Sequence, residues 1–379
     1  MEIQNMREHY ELEKKDVTSS VDAILESRIN LVQQHLGPKS SEFIHLMTDK
    51  RSKRAKNNGR LRDILVKLVL SGCGVSELGT DHYKVIAAGE LYNMASYYQN
   101  WHLDDKSHIT SEVDKKLCHI ASHIFRELAH QEIYETGFDD SVKLELLHEI
   151  HNSNMAIQIG QAQELTDLTY QNNVHALDKE TFVKEYAKRC YLFSGRFYGT
   201  SFAMGAIMAK KPKELVNKYG KIGELFGTGG QMINDTGDFC MAKEIANCPE
   251  KDYQDQFADL VKGTITLPIY ELAKYLDISS YVQNGMSNED KKNCLEVMIK
   301  NRCFDSTRKI TNAIKNDMVR QLSVVEDEEV RHQLKGMVST FFQSNKFYCN
   351  LREEHGYDWS KLPKHTLDLP EIETYTTKF

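Results

Sequence analysis

The sequence predicts an all-α chain, a bundle of long helices, on three observations. Only six of the 379 residues are proline, and none falls between Pro38 and Pro212, a span that mixed or all-β chains rarely cross without one. Apolar residues recur near the helical period of 3.6 along most of the length. The stretches between these runs are short and polar, with no Pro/Gly/Ser-rich linker, so one helical core is favoured over two domains.

In chain order, helical spacing of apolar residues runs from Val21 to Met47, and LRDILVKLVL from Leu61 to Leu70 reads as a buried helix behind a basic loop. Further helices are predicted over Tyr83–Leu103, Ser111–Tyr134, Val142–Asn172, Lys179–Ala209, Pro212–Asp238 and Gln254–Leu276. The charged C-terminal third continues the pattern. From Tyr357 to Phe379 the helical period fades and Pro363 and Pro370 appear, which predicts an extended tail. The expected organisation is a helical extension over 1–50, a core over 51–345 and a tail over 346–379.

A net charge of −7 and a pI near 6.1 argue against nucleic acid as the main partner. The eight cysteines form no C-x-x-C pair and no framework of a small secreted domain, so they read as reduced core thiols. The N-terminus MEIQNMREHYELEKKD is polar, and no stretch approaches the ~20 apolar residues of a membrane span. A cytoplasmic protein without integral membrane association is the expectation.

The sharpest local feature is GTGGQMINDTGDF. On a helix, Gln231, Asn234 and Asp238 share one face at i, i+3 and i+7, with Asp235 beside Asn234. Oxygen-only donors of this kind suit Mg²⁺, which takes few carboxylates and completes its shell with water or phosphate oxygens. The same residues also fit a solvated acidic turn at a helix end. A second oxygen-rich stripe, Asn93, Tyr97, Asn100 and Asp104, with Asp105 next in sequence, lies in ELYNMASYYQNWHLDDKSH. Facing the first across a bundle interior, it would clamp a diphosphate between metal ions; exposed, it would be ordinary surface polarity. HEIH at His148–His151 has the wrong spacing for an H-E-x-x-H zinc site, and FGTGG lacks the lysine and preceding strand of a nucleotide loop.

From about Asn57 to Pro268 the segments NNGRLRD, AAGELYNMASYYQNWHLDD, IGQAQEL, YLFSGRFYGTSFAMGA, GGQMINDTGD and DLVKGTITLP stand in the order and at the separations of the trans-isoprenyl diphosphate synthases. The chain resembles that family. The resemblance implies an isoprenoid synthase-type bundle around a central cavity, a prenyl diphosphate substrate, Mg²⁺ as cofactor, and a homodimer or a heterodimer with a related synthase. Fold does not by itself imply function, and the departures fall where the chemistry resides.

In the family, the lysine and last arginine of the basic loop, together with a histidine seven residues before the first aspartate, hold isopentenyl diphosphate. Here those positions are Gly59, Arg62 and Asn93; nearby Lys56 and Arg60 either attract a phosphate in their place or belong to a merely solvated basic loop. The first D-D-x-x-D pattern falls on Asn100 to Asp104 without a gap, or begins at Asp104 and Asp105 if one helical turn is inserted; both registers stay open. In the second pattern Asn234 replaces the first aspartate, while Gln231, Asp235 and Asp238 match. The lysine of K-T becomes Phe193, followed by Ser194, and that of G-K-x-T becomes Thr264, two residues after Lys262. Arg196, one turn after Phe193, is the candidate to compensate.

Gln161 and Glu164 match the family's G-Q-x-x-D helix, with glutamate for aspartate. Phe193, Phe197, Tyr198, Tyr97 and Tyr98 either line a cavity whose ring faces stabilise a carbocation or pack as core. Small Ala95 and Ser96 before the first motif imply, by the resemblance, room for a chain of about fifteen carbons or more. Together these departures favour an enzyme that ionises an allylic prenyl diphosphate and then cyclises it or passes it to an acceptor other than isopentenyl diphosphate. An elongating synthase and a non-catalytic partner subunit are the alternatives. The expected catalytic groups are Asp104, Asp235 and Asp238, with Asp105 and Asn234 as further metal ligands. The expected substrate contacts are Arg62, Asn93, Tyr97, Asn100, Gln161, Glu164, Phe193, Arg196, Gln231 and Lys262.

Overall fold

The computed structural model describes residues 3–37, 40–41, 43–48, 60–103, 111–172, 174–239 and 256–343. Among these no strand occurs, so the all-α prediction holds; the sole isolated bridge pairs Thr169 with Thr264. The described residues group into two compact units. One is drawn from Met1–Ile150, Ser201–Gly220 and Val324–Gly336, the other from His151–Thr200, Lys221–Ser323 and Met337–Phe379. The expected tail over 346–379 lies outside the described residues.

In the first unit, α1 (Ile3–Gln34) buries Val17, Val21, Leu25 and Ile29, which recur every fourth residue on one face. It begins well before the expected Val21 and stops short of Met47. The added turns are rich in Glu, Lys and Gln, good helix formers that leave no apolar period to read. A separate helical segment over 43–48 buries Phe43 and Met47. Helix α2 (Leu61–Gly72) buries Ile64, Leu65, Leu68 and Val69, as its apolar run predicts.

Helices α3 (Thr80–Leu103) and α4 (Glu112–Tyr134) pack together, with the Tyr98 and Phe125 rings 5.3 Å apart. Ser111 caps α4, its hydroxyl accepting from the Asp114 N–H at 3.0 Å. Buried Glu132 on α4 pairs with Arg28 of α1, and Lys67 of α2 pairs with Glu13 and Asp16 of α1 at 2.7 and 2.6 Å. Tyr98 is therefore core: it is buried, and its hydroxyl donates to the Leu46 carbonyl at 2.9 Å.

Further along the chain the expected Lys179–Ala209 helix is interrupted. Helix α6 (Lys179–Cys190) and α7 (Arg196–Met208) are joined by a π-helical turn over Tyr191–Gly195, the turn that carries Phe193 and Ser194. Helix α5 (Asp140–Thr166) ends six residues before the expected Asn172, giving way to two short 3₁₀ turns. Helix α8 (Lys213–Gly237) crosses the π turn at a pair of glycines. A Cβ on Gly227 would lie 2.2 Å from the Ser194 carbonyl oxygen, and one on Gly195 would lie 3.0 Å from that of Glu224. Only glycine permits so close a backbone crossing.

The expected Gln254–Leu276 helix is likewise broken, into α9 (Ala258–Lys262) and α10 (Leu267–Leu272). Gly263 takes a φ of +81°, and Pro268 sits in the first turn of α10. Between them the chain pairs with the end of α5: Ile265 N–H donates to the Leu168 carbonyl at 2.9 Å, and Tyr170 N–H to the Gly263 carbonyl at 2.7 Å. Four more helices complete the described chain: α11 (Ser279–Asn284), α12 (Asn288–Lys300), α13 (Asp305–Gln321) and α14 (Glu328–Gln343).

Candidate functional site

In the second unit, Asp235 is 3% exposed and both its carboxylate oxygens are engaged. Gln231, one turn back on α8, donates its amide to Oδ1 at 2.7 Å. The Tyr186 hydroxyl and Arg189 Nη1 donate to Oδ2 at 2.7 and 3.0 Å. Tyr186 and Arg189 are three residues apart on α6, so the helix presents them together. The other guanidinium nitrogen of Arg189 pairs with Glu164 at the end of α5. Thus two family-matched positions, Glu164 and Asp235, meet on one buried arginine that the resemblance does not supply, and a third, Gln231, supports Asp235.

Burial alone would favour loss of the Arg189 charge, but Asp235 and Glu164 outweigh it and hold the guanidinium firmly protonated. Burial, reinforced by Asp235, raises Tyr186 well above the ordinary phenol range and keeps it a donor. Cys190, next to Arg189 in the chain, is pushed up to about 12 by burial and is an inert thiol.

Asp238 is partly buried at the last turn of α8, and its Oδ2 accepts from the Asp259 N–H at 3.3 Å. Burial, then the charges of Asp238, Asp235 and Glu164, push the Asp259 carboxyl well above the usual carboxylate range. Among the described residues, Glu164 and Asp235 pair with Arg189, and Asp238 and Asp259 lie beside them. Among the described residues no three His, Cys, Asp or Glu side chains form a ready metal cage. Asp238 and Asp259 nonetheless supply hard oxygen donors that a Mg²⁺ ion would fit, with water or phosphate completing the shell and the Asp259 proton displaced on binding.

The remaining expected groups of this unit are scattered. Asn234 is exposed and points away from the buried face that carries Asp235, and Lys262 is exposed at the end of α9. Gln161 is buried one turn before Glu164. Arg196 does not stand free to replace a lost lysine: it pairs with buried Glu224, which also accepts from the Tyr191 hydroxyl at 3.2 Å. Tyr198 packs on Phe226 with ring centroids 5.0 Å apart, and Phe197 is buried.

In the first unit, Arg60 is 4% exposed and ringed by Asp22, Glu90 at 3.1 Å and Asp63 at 3.5 Å. A guanidinium so paired is a structural ion and cannot be the replacement phosphate anchor expected of it. Arg62 donates to the Asn93 side-chain carbonyl, and the Asn93 amide donates to Glu90 at 3.0 Å. Asn93, where the family has histidine, is therefore a buried link between Arg62 and Glu90. Tyr97 is partly buried with its ring 6.4 Å from that of Trp101, and Asn100 is partly buried. Asp104, Asp105, Lys56 and Gly59 lie outside the described residues.

Sequence reasoning missed Arg189, Tyr186, Asp259 and Glu224. Two left a signal. Arg189 lies one turn before Phe193, and Asp259 opens the DLVKGTITLP segment already matched to the family.

A search of the solved structures places the chain beside a decaprenyl diphosphate synthase from Rhodobacter capsulatus, with TM-score 0.70, 14% identity, and 90% of this chain and 99% of that chain covered. A polyprenyl synthase from Caulobacter crescentus, complexed with calcium and isoprenyl diphosphate, gives TM-score 0.71 at 13% identity, covering 90% and 97%. A heptaprenyl diphosphate synthase from Staphylococcus aureus gives TM-score 0.64 at 18% identity, covering 85% and 98%. At such identities the likeness establishes the shared fold. No curated protein sequence matches. No helix among the described residues is long and apolar enough to cross a membrane. Over residues 106–310, more than half of its length, the sequence matches the profile of the polyprenyl synthetases, and the chain belongs to that family.

Proposed function

We propose that this chain ionises an allylic prenyl diphosphate of about fifteen carbons or more with Mg²⁺, and then cyclises it or transfers it to an acceptor other than isopentenyl diphosphate. The observation that carries this reading is the cluster of carboxylates that gathers about Arg189 among the described residues: Glu164 and Asp235 paired with it, and Asp238 and Asp259 beside them. A divalent cation suits that cluster of oxygen donors, and when bound it would offset the charge that builds on a departing diphosphate. Asp238 and Asp259 are the proposed holders. Gln231, Tyr186 and Arg189 fix Asp235, and Arg189 ties it to Glu164.

Loss of elongation is supported in the first unit. Arg60 is consumed by its carboxylates and Asn93 by Arg62 and Glu90, so the basic groups that would anchor isopentenyl diphosphate are turned to structural use. A second reading, a non-catalytic partner of an active synthase, is favoured by one observation: both oxygens of Asp235 are satisfied within the chain.

Incubation with geranyl, farnesyl and geranylgeranyl diphosphates plus Mg²⁺, with and without isopentenyl diphosphate, separates these readings. The expected outcome is release of diphosphate with a hydrocarbon, alcohol or transferred product that contains no added five-carbon unit. Asp238→Ala should abolish that turnover with helical content nearly unchanged by circular dichroism. Failure to consume any of the three substrates, together with stimulation of an intact synthase on mixing, would establish the partner-subunit reading instead.

A further inference from the structure

Outside the carboxylate site, the end of α3 and the face of α4 bring three imidazoles together. His119 and His123 stand at i and i+4 on α4 with ring centroids 4.8 Å apart, and His102 of α3 lies 4.9 Å from His119. The neighbouring described residues on these two helices explain none of this as packing: His119 and His123 are exposed and His102 is partly buried.

One hydrogen bond sets the chemistry. His102 Nδ1 is 3.1 Å from the Lys115 carbonyl oxygen. A carbonyl only accepts, so Nδ1 carries the proton and Nε2 carries a lone pair. A ring nitrogen held by a backbone carbonyl is the arrangement that orients metal-binding histidines and strengthens their donor atom. Spacing agrees as well. Three imidazoles on one tetrahedral Zn²⁺, with Zn–N of about 2.0–2.1 Å, place neighbouring ring centroids about 5 Å apart.

We infer that His102, His119 and His123 form a binding site for a borderline transition metal such as Zn²⁺, one that staples the end of α3 to α4. The rings are tilted at 39° and edge-on at 85° to one another and do not yet converge, and no ready three-ligand cage exists among the described residues. Side-chain rotation of exposed His119 and His123 closes the site on the ion. Nitrogen donors select against Mg²⁺, so this site is separate in chemistry from the carboxylate cluster of Asp235, Asp238 and Asp259, even though His102 falls within the first-motif stretch.

Titrating Zn²⁺ into the full chain by calorimetry, with Mg²⁺ saturating, tests it. One Zn²⁺ per chain is expected, with binding weakened by at least about tenfold in His119→Ala and in His123→Ala. Asp235→Asn should leave Zn²⁺ binding unchanged. Cu²⁺ electron paramagnetic resonance on the unsubstituted protein gives an independent reading, in which coupling to imidazole nitrogens is expected. Absence of saturable binding, an affinity in either histidine variant equal to that of the parent protein, or an oxygen-only Cu²⁺ spectrum would overturn the inference.

Discussion

At the residue scale, Arg189 decides how the second motif works. Its guanidinium binds Asp235 and Glu164 in a buried setting, where removing one partner leaves the others uncompensated and costs about 3–5 kcal/mol. Arg189→Met is therefore expected to lower unfolding free energy by that amount in urea denaturation, and Arg189→Met with Asp235→Asn should recover part of the loss. Exposed pairs such as Lys218–Glu214 are screened by solvent and would not respond on this scale. The partners of Arg189 were readable, because Glu164, Gln231 and Asp235 sit at matched family positions. Arg189 itself was not. A lone basic residue on an amphipathic helix looks like any solvated lysine or arginine until its neighbours in space are known.

At the element scale, the sequence announces helices better than their interruptions. Leu61–Gly72 was legible because its apolar run leaves one solution. The break at Gly263 and Pro268 was visible as letters, yet the apolar period on either side overrode it; long-range pairing with Leu168 and Tyr170 makes the break favourable. The π turn left no periodic signature at all. Its tertiary cause is the crossing of Gly227 and Gly195, where main chains meet without side chains between them. Gly227→Ala should part that crossing and destabilise the protein by about 1–3 kcal/mol or more, measured by thermal unfolding. Gly37→Ala, where an added methyl meets nothing within 4 Å, should change stability by less than about 0.5 kcal/mol.

At the scale of the whole molecule, the crowded carboxylates link stability to pH and to divalent ions. The folded protein binds the Asp259 proton more tightly than the unfolded chain does, since its carboxyl is raised from 3.8. This favours folding below the unfolded value and is lost as pH rises through the folded one. In chelator, Asp259→Asn should therefore raise Tm relative to the parent protein by a margin that grows with pH above about 4, and added Mg²⁺ should shrink that margin. The all-α class was legible from proline scarcity and helical period alone; a carboxylate cluster built from α5, α8 and α9 was not, because it exists only after folding. One property of the architecture bears on how the protein comes into being. The first unit takes most of its chain from Met1–Ile150 but also needs Ser201–Gly220 and Val324–Gly336, and α7 meets α2 where a Cβ on Gly205 would lie 3.0 Å from the Val66 carbonyl oxygen. A growing chain released residue by residue has made the larger part of that unit long before it can close it. The apolar face of α2 must wait, uncovered, for its last neighbours to emerge.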